Sequence, residues 1–132
     1  MAEPVTRLLL RALHLVETRA PEAHAAMAAS LDGLDVSVSV EDSLRLSCNE
    51  GAFREEPLNQ RAAIRLRTDR ATVRALLAGT STLNAAIRSG AIELAGATGA
   101  LGRGLSAFEF FVCALLKIDE AEELGREMEG EQ

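Results

Sequence analysis

The chain has no tryptophan and no tyrosine, and its four phenylalanines include three clustered at positions 108, 110 and 111. Without aromatic planes spaced along a surface, there is no platform on which nucleic-acid bases could stack. Positive charge is also short. Fourteen basic residues stand against 20 acidic ones, giving a formal charge of −6 and a pI near 5.0. A phosphate-backbone partner needs a clustered basic face, so the sequence excludes nucleic acid. The two cysteines, Cys48 and Cys113, fall in apolar-periodic segments. They read as buried, reduced thiols acting as small hydrophobes, not as a disulfide. No apolar run approaches the ~20 residues that cross a bilayer. The stretch from Leu8 to Val16 is broken by Arg11 and His14 and has no small-residue cleavage site, so it does not read as a secretory signal. These absences predict a cytoplasmic protein with no stable membrane insertion.

What is present is a change of hydrophobic period along the chain. Val5, Leu8, Leu9, Ala12, Leu13 and Val16 recur at helical spacing, and Pro21 suits the first turn of a second, alanine-rich helix that stops at Asp32-Gly33. From Leu34 the period becomes two. Val36, Val38 and Val40 alternate with serines, and Leu44, Leu46 and Cys48 alternate with Arg45 and Ser47 across a turn at Glu41-Asp42-Ser43. Asn49-Glu50-Gly51 predicts a hairpin loop into a weaker strand over 52–55, which Pro57 ends. Ile64, Leu66 and Thr68 share one face of a fourth strand, with Arg65 and Arg67 on the other. Ile92 and Leu94 face inward in a fifth, with Glu93 outside.

Between the last two strands lie two short helices. Thr68 or Asp69 caps the first, whose stripe is Val73, Leu76 and Leu77, and Gly79 stops it. Thr80 or Ser81 caps the second, whose stripe is Leu83, Ala86 and Ile87, and Gly90 stops it. Gly96 to Gly104 reads as a loop that weakens local helix formation. A final helix then opens at Ser106 and is apolar on almost every side from Phe108 to Leu116 apart from Glu109. The expected architecture is α+β, a mainly antiparallel five-stranded sheet with helices 69–79, 81–89 and 106–118 on its apolar face. The chain reads as one domain over 1–132, with N-terminal helices over 1–31, a core over 34–118 and an acidic, fraying tail over 119–132.

Few residues could carry chemistry. Gly102-x-Gly104-x-x-Ala107 loosely fits a dinucleotide fingerprint, but no strand runs directly into it and none follows the helix. His14 and His24 are ten residues apart, with only Glu17 near His14, and a metal needs three or four convergent ligands. They read as surface or boundary histidines. Cys113 in an apolar helix is expected to be inert by burial, nothing resembles a nucleophile elbow, and Glu50, Glu55 and Glu56 read as solvated surface. The expectation is no catalytic residue, no metal and no cofactor.

One phrase is more specific. Leu77-Ala78-Gly79, then Leu83-Asn84-Ala85-Ala86-Ile87-Arg88-Ser89-Gly90-Ala91-Ile92-Glu93-Leu94-Ala95-Gly96, resembles the sterol-carrier-protein type 2 (non-specific lipid-transfer) family over about Val36 to Leu116. The first 30 residues match no motif, and this chain has Gly96-Ala97 where the family often has Gly-Asp. The resemblance implies an α+β fold that holds a lipid-like molecule in an apolar tunnel between sheet and helices, without catalysis. Its implied lining is Leu66, Val73, Leu76, Leu77, Leu83, Ile87, Ile92, Leu94, Phe108, Phe111, Val112 and Leu115. The four glycines from 96 to 104 weaken local helix formation, which predicts that this segment and the final helix form a movable wall of the site. The implied partner is an apolar small molecule such as an acyl chain or sterol. The alternative is an interaction module of the same fold with a filled cavity, meeting a second copy or a partner enzyme through the final helix. A continuous apolar cavity of a few hundred Å³ separates the two.

Overall fold

The computed structural model describes residues 4–58, 62–118 and 126. Helices α1 (Val5–Arg19) and α2 (Pro21–Leu31) lead into strands β1 (Asp35–Val40), β2 (Asp42–Asn49), β3 (Ala52–Glu56) and β4 (Ile64–Arg67). Helices α3 (Arg70–Leu77) and α4 (Leu83–Ser89), strand β5 (Glu93–Gly96) and helix α5 (Thr98–Leu116) follow. The sheet order is β3-β2-β1-β4-β5. Three of its pairings are antiparallel, and β1 pairs with β4 in parallel. The α+β architecture expected from the alternating strands is therefore present.

Register follows the alternation. Val36 lies opposite Leu46 and Ile64, and Val38 lies opposite Leu44 and Leu66, so one face of the sheet is aliphatic. The other face carries Ser37, Ser39, Arg45, Arg65 and Arg67. Asp35 joins three strands on that polar side. Its carboxylate accepts from Arg45 Nε at 2.8 Å and from the Ala63 N–H at 3.0 Å. Burial pushes the Asp35 carboxyl up, but these hydrogen bonds outweigh it and hold the group below the usual carboxylate range. The parallel β1–β4 contact is thus fixed by a side chain as well as by the ladder. Glu50 and Gly51 both have positive φ (53 and 81), so the β2–β3 hairpin closes in two residues.

Two caps place the short helices. Asp69 Oδ1 accepts from the Thr72 N–H at 2.8 Å, as the sequence allowed. The cap of α4 is Thr82, whose Oγ1 accepts from the Ala85 N–H at 3.1 Å, so the expectation of Thr80 or Ser81 is corrected. α4 starts at Leu83 because Thr82 is the residue in extended conformation before it.

The glycine-rich segment differs most from expectation. Gly96 ends strand β5, and the final helix begins at Thr98, not Ser106. Gly104 is buried inside α5, where an added Cβ would lie 3.0 Å from Ile64 Cδ1. The glycine lets the helix lie close on the sheet, and that packing outweighs the residue's weak helix propensity. Arg103 adds a tie, donating to the carbonyls of Ser30 and Asp32 at 2.8 and 2.6 Å, where the end of α2 leaves acceptors unpaired. By length and composition alone, the 19 residues of α5 are apolar enough to cross a membrane, which the sequence reading did not foresee. Its Gly104, Ala107, Ala114 and Leu115 are buried, as in a helix packed on a sheet. The expected tail over 119–132 lies outside the described residues, Arg126 excepted.

Candidate functional site

A cavity of about 150 Å³ lies between the aliphatic face of the sheet and the helices. Its floor is Val36, Val38, Val40, Leu44, Leu46 and Leu66, and its roof includes Phe108, Phe111, Val112 and Leu115 of α5. Leu8, Leu9, Leu10, Ala12 and Leu13 of α1 form one wall, and Val73, Leu76 and Leu77 of α3 with Leu83 form another. Val38, Leu46, Leu66, Phe108, Phe111 and Val112 are only half-buried, although each points inward. In a filled core they would be fully covered by partners. Their uncovered surface is the cavity wall.

Among the described residues the lining holds two side-chain heteroatoms besides the Met27 thioether, and both are engaged. Thr68 Oγ1 donates to the Ala91 carbonyl at 2.7 Å, and Cys48 Sγ donates to the Ala28 carbonyl at 3.4 Å. Among the described residues no acid, amide, histidine or cation lines the space. A molecule held there gains from apolar burial, on the order of 25 cal/mol per Å².

Ten of the twelve residues expected at the site line this cavity. Ile87 and Leu94 lie outside it. Ile87 packs on a satellite cluster of Leu76, Leu83, Ala86 and Ile92, and Leu94 packs on the main core. Leu66 and Leu94, expected buried, are half-buried, and so is Arg65, expected exposed. The alternation itself holds, because Leu66 faces the cavity and Arg65 the polar side. The sequence reading left out the α1 wall, Met27 and Leu31 of α2, the β1 and β2 floor, Phe53 and Thr68. A signal for α1 was present. Leu8-Leu9-Leu10 with Leu13 makes an apolar stripe wider than a helix needs to sit on a sheet.

The two facing walls are anchored to one turn. Arg70 of α3 forks onto Glu41, with Nη2 2.7 Å and Nε 3.1 Å from its carboxylate oxygens. That guanidinium holds the Glu41 carboxyl below its ordinary range. Next along the chain, Asp42 Oδ2 accepts from Thr6 Oγ1 of α1 at 2.5 Å. Glu41 takes a positive φ of 70, uncommon for a residue with a side chain. The β1–β2 turn therefore sets the spacing of α1 and α3 across the cavity.

Two expectations about reactive groups change. His24 is buried, 8% exposed, and meets Phe53 edge-on with ring centroids 5.4 Å apart. Glu17 lies 3.9 Å from His24 and 3.7 Å from the exposed His14. Among the described residues no three His, Cys, Asp or Glu side chains gather as a metal-ligand set. Cys113 is exposed on α5, contrary to the expected burial, because α5 turns Phe110, Cys113 and Leu116 outward while Ala114 and Leu115 face in. Cys48 is buried, and burial, with the nearby Asp32 carboxylate, pushes its thiol up. A maleimide should therefore label one thiol per native chain, at Cys113, and two after unfolding. Labelling of native Cys113→Ala protein at the same rate would contradict this placement.

By sequence, the chain matches no family model and no curated protein. By structure, it is similar to a "UbiJ-SCP2 Ubiquinone synthesis protein" at 21% identity and a TM-score of 0.59, over 85% of this chain and 99% of that one. It is similar to sterol carrier protein 2 at 19% identity and a TM-score of 0.57, over 82% and 95% of the two chains. A sterol carrier protein domain of Helicoverpa armigera gives 11% identity and a TM-score of 0.61, over 90% and 98%. With the sheet order, the helices on one face and the cavity between them, these likenesses establish that the chain has the sterol-carrier-protein-2-like fold.

Proposed function

We propose that this protein binds or transfers a lipid-like apolar molecule without transforming it, holding the molecule in the cavity between sheet and helices. The observation that carries the reading is the cavity's composition, aliphatic, phenyl and thioether side chains with every hydroxyl and thiol already hydrogen-bonded. Such a space gives no nucleophile, base or metal ligand to a reacting group, and it rewards hydrocarbon. Two similar structures carry names connected with apolar molecules, sterol carrier protein and ubiquinone synthesis protein, which agrees with this chemistry. The volume is below the few hundred Å³ expected. An engineered apolar cavity of similar size takes benzene, so a longer ligand requires the half-buried walls from α1 and α5 to move apart.

Native mass spectrometry of the purified protein should find a co-purified apolar molecule, and a fluorescent fatty acid should bind at micromolar concentration. Phe111 lines the roof, so Phe111→Ala should weaken that probe roughly tenfold, the scale of one lost aromatic contact, with strand content unchanged. Absence of any co-purified molecule together with absence of probe binding would remove the carrier reading.

A second reading rests on α5. Phe110 and Leu116 are 42% and 49% exposed, with Cys113 between them on the outer face. In this reading the outer face docks on a second copy or a partner enzyme, and the cavity is incidental. Phe110→Ser would then abolish the association while leaving probe binding intact.

A further inference from the structure

The cavity has one loose point in its helical walls. Among the described residues of the helices that line it, Leu10 of α1 alone packs on neither cluster of buried side chains. Elsewhere the lining is packed in. Phe111 and Leu115 of α5 belong with Leu8, Leu9 and Leu13 of α1 to the main cluster. Phe108 and Val112 pack on the cluster of Leu76, Leu83, Ala86 and Ile92, which joins α5 to α3 and α4. Nearer its start, α5 lies on Ile64 through Gly104, and Arg103 fastens it to the end of α2. Leu10 stands one helical turn after Thr6, whose hydroxyl donates to Asp42 in the β1–β2 turn. The neighbouring Glu41 holds Arg70 at the start of α3. One turn thus clasps α1 with one residue and α3 with the next.

From this we infer that the seam between α1 and α3 at Leu10 is the portal of the cavity, and that the Glu41–Arg70 pair is its latch. The inference rests on the carrier reading and adds the route by which a ligand enters. The two arms of the clasp differ in how they open. Thr6 is buried, 4% exposed, so opening its arm would strand a hydroxyl. The Glu41 side chain is 55% exposed, so water and salt ions can take the place of Arg70 on its carboxylate. The pair holds at rest because it is a fork of two charge-assisted hydrogen bonds, at 2.7 and 3.1 Å. When the fork lets go, α1 and α3 are no longer held to one turn, and the walls can part beside Leu10.

The test is stopped-flow entry of N-phenyl-1-naphthylamine into the full chain. The probe is uncharged, so salt acts on the protein's charges and not on its own. Glu41→Gln, which removes the charge and keeps the shape, should speed entry by about fivefold, the upper end for an exposed ion pair. In about 1 M NaCl, wild-type entry should rise toward the variant's rate, and the variant's should stay where it is, since the charge to be screened is gone. Arg67→Gln breaks the pair with Glu93 on the polar side of the sheet and should leave entry unchanged. Wild-type entry rates in Glu41→Gln, or equal acceleration by Arg67→Gln, would overturn the latch while leaving the carrier reading in place. Acceleration by salt that persists in Glu41→Gln would do the same. If the probe does not bind wild-type protein, the carrier reading fails and this inference falls with it.

Discussion

Gly96→Ala should destabilise the protein by about 3 kcal/mol, the combined scale of backbone strain and overpacking. That corresponds to a fall of roughly 10 °C in Tm for a chain of this size. Gly96 pairs with Ile64 across β4 and β5 at a φ of 156, and an added Cβ would lie 2.5 Å from the Ala63 carbonyl oxygen. The obstacle is backbone, which cannot swing aside as a side-chain tip can. The same substitution at Gly102, inside α5 and with nothing within 4 Å, should stabilise by up to about 1 kcal/mol through helix propensity. Thermal denaturation of the two variants side by side checks the pair. Equal shifts would mean that the segment is as loose as its glycine content suggests.

That contrast marks where the sequence could and could not be read. The strands were legible because period-two alternation leaves little freedom of register, and Val36, Val38, Leu46 and Leu66 all face the side that their neighbours' polarity dictates. The glycines from 96 to 104 were not legible. Glycine weakens an isolated helix, and only the tertiary approach of α5 to Ile64 reveals that Gly104 is there for packing. The parallel β1–β4 pair was equally hidden, since it depends on where the chain returns after β3 and on Asp35 reaching both Arg45 and Ala63. For the site, residues on α3, α5 and β4 could be named because the resemblance places its ligand tunnel against those elements. The α1 wall and the β1–β2 floor could not, because core and cavity lining are built from the same aliphatic side chains. Only uncovered surface distinguishes them. Cys113 illustrates the same limit, as an apolar helix gives no sequence sign of which side faces water when it is apolar all round.

Val38→Phe should abolish binding of an apolar probe, by tenfold or more, while leaving the fold intact or more stable. Val38 sits mid-floor, between Leu44 and Leu66 in register, and is half-buried because the cavity lies above it. A phenyl ring is the size of guest that a space of about 150 Å³ accepts, so the new side chain would occupy what the ligand needs. Filling an apolar cavity commonly adds about 0.5–2 kcal/mol of stability, whereas forcing a ring into an already filled core costs about 1–3 kcal/mol. The sign of the stability change is therefore as informative as the loss of binding. Thermal melts and probe titration on the same preparation read both. A stabilised variant that no longer binds places the ligand in this cavity, and a destabilised variant that binds as before would sink the carrier reading and leave the outward face of α5, with Phe110 and Leu116, as the working surface.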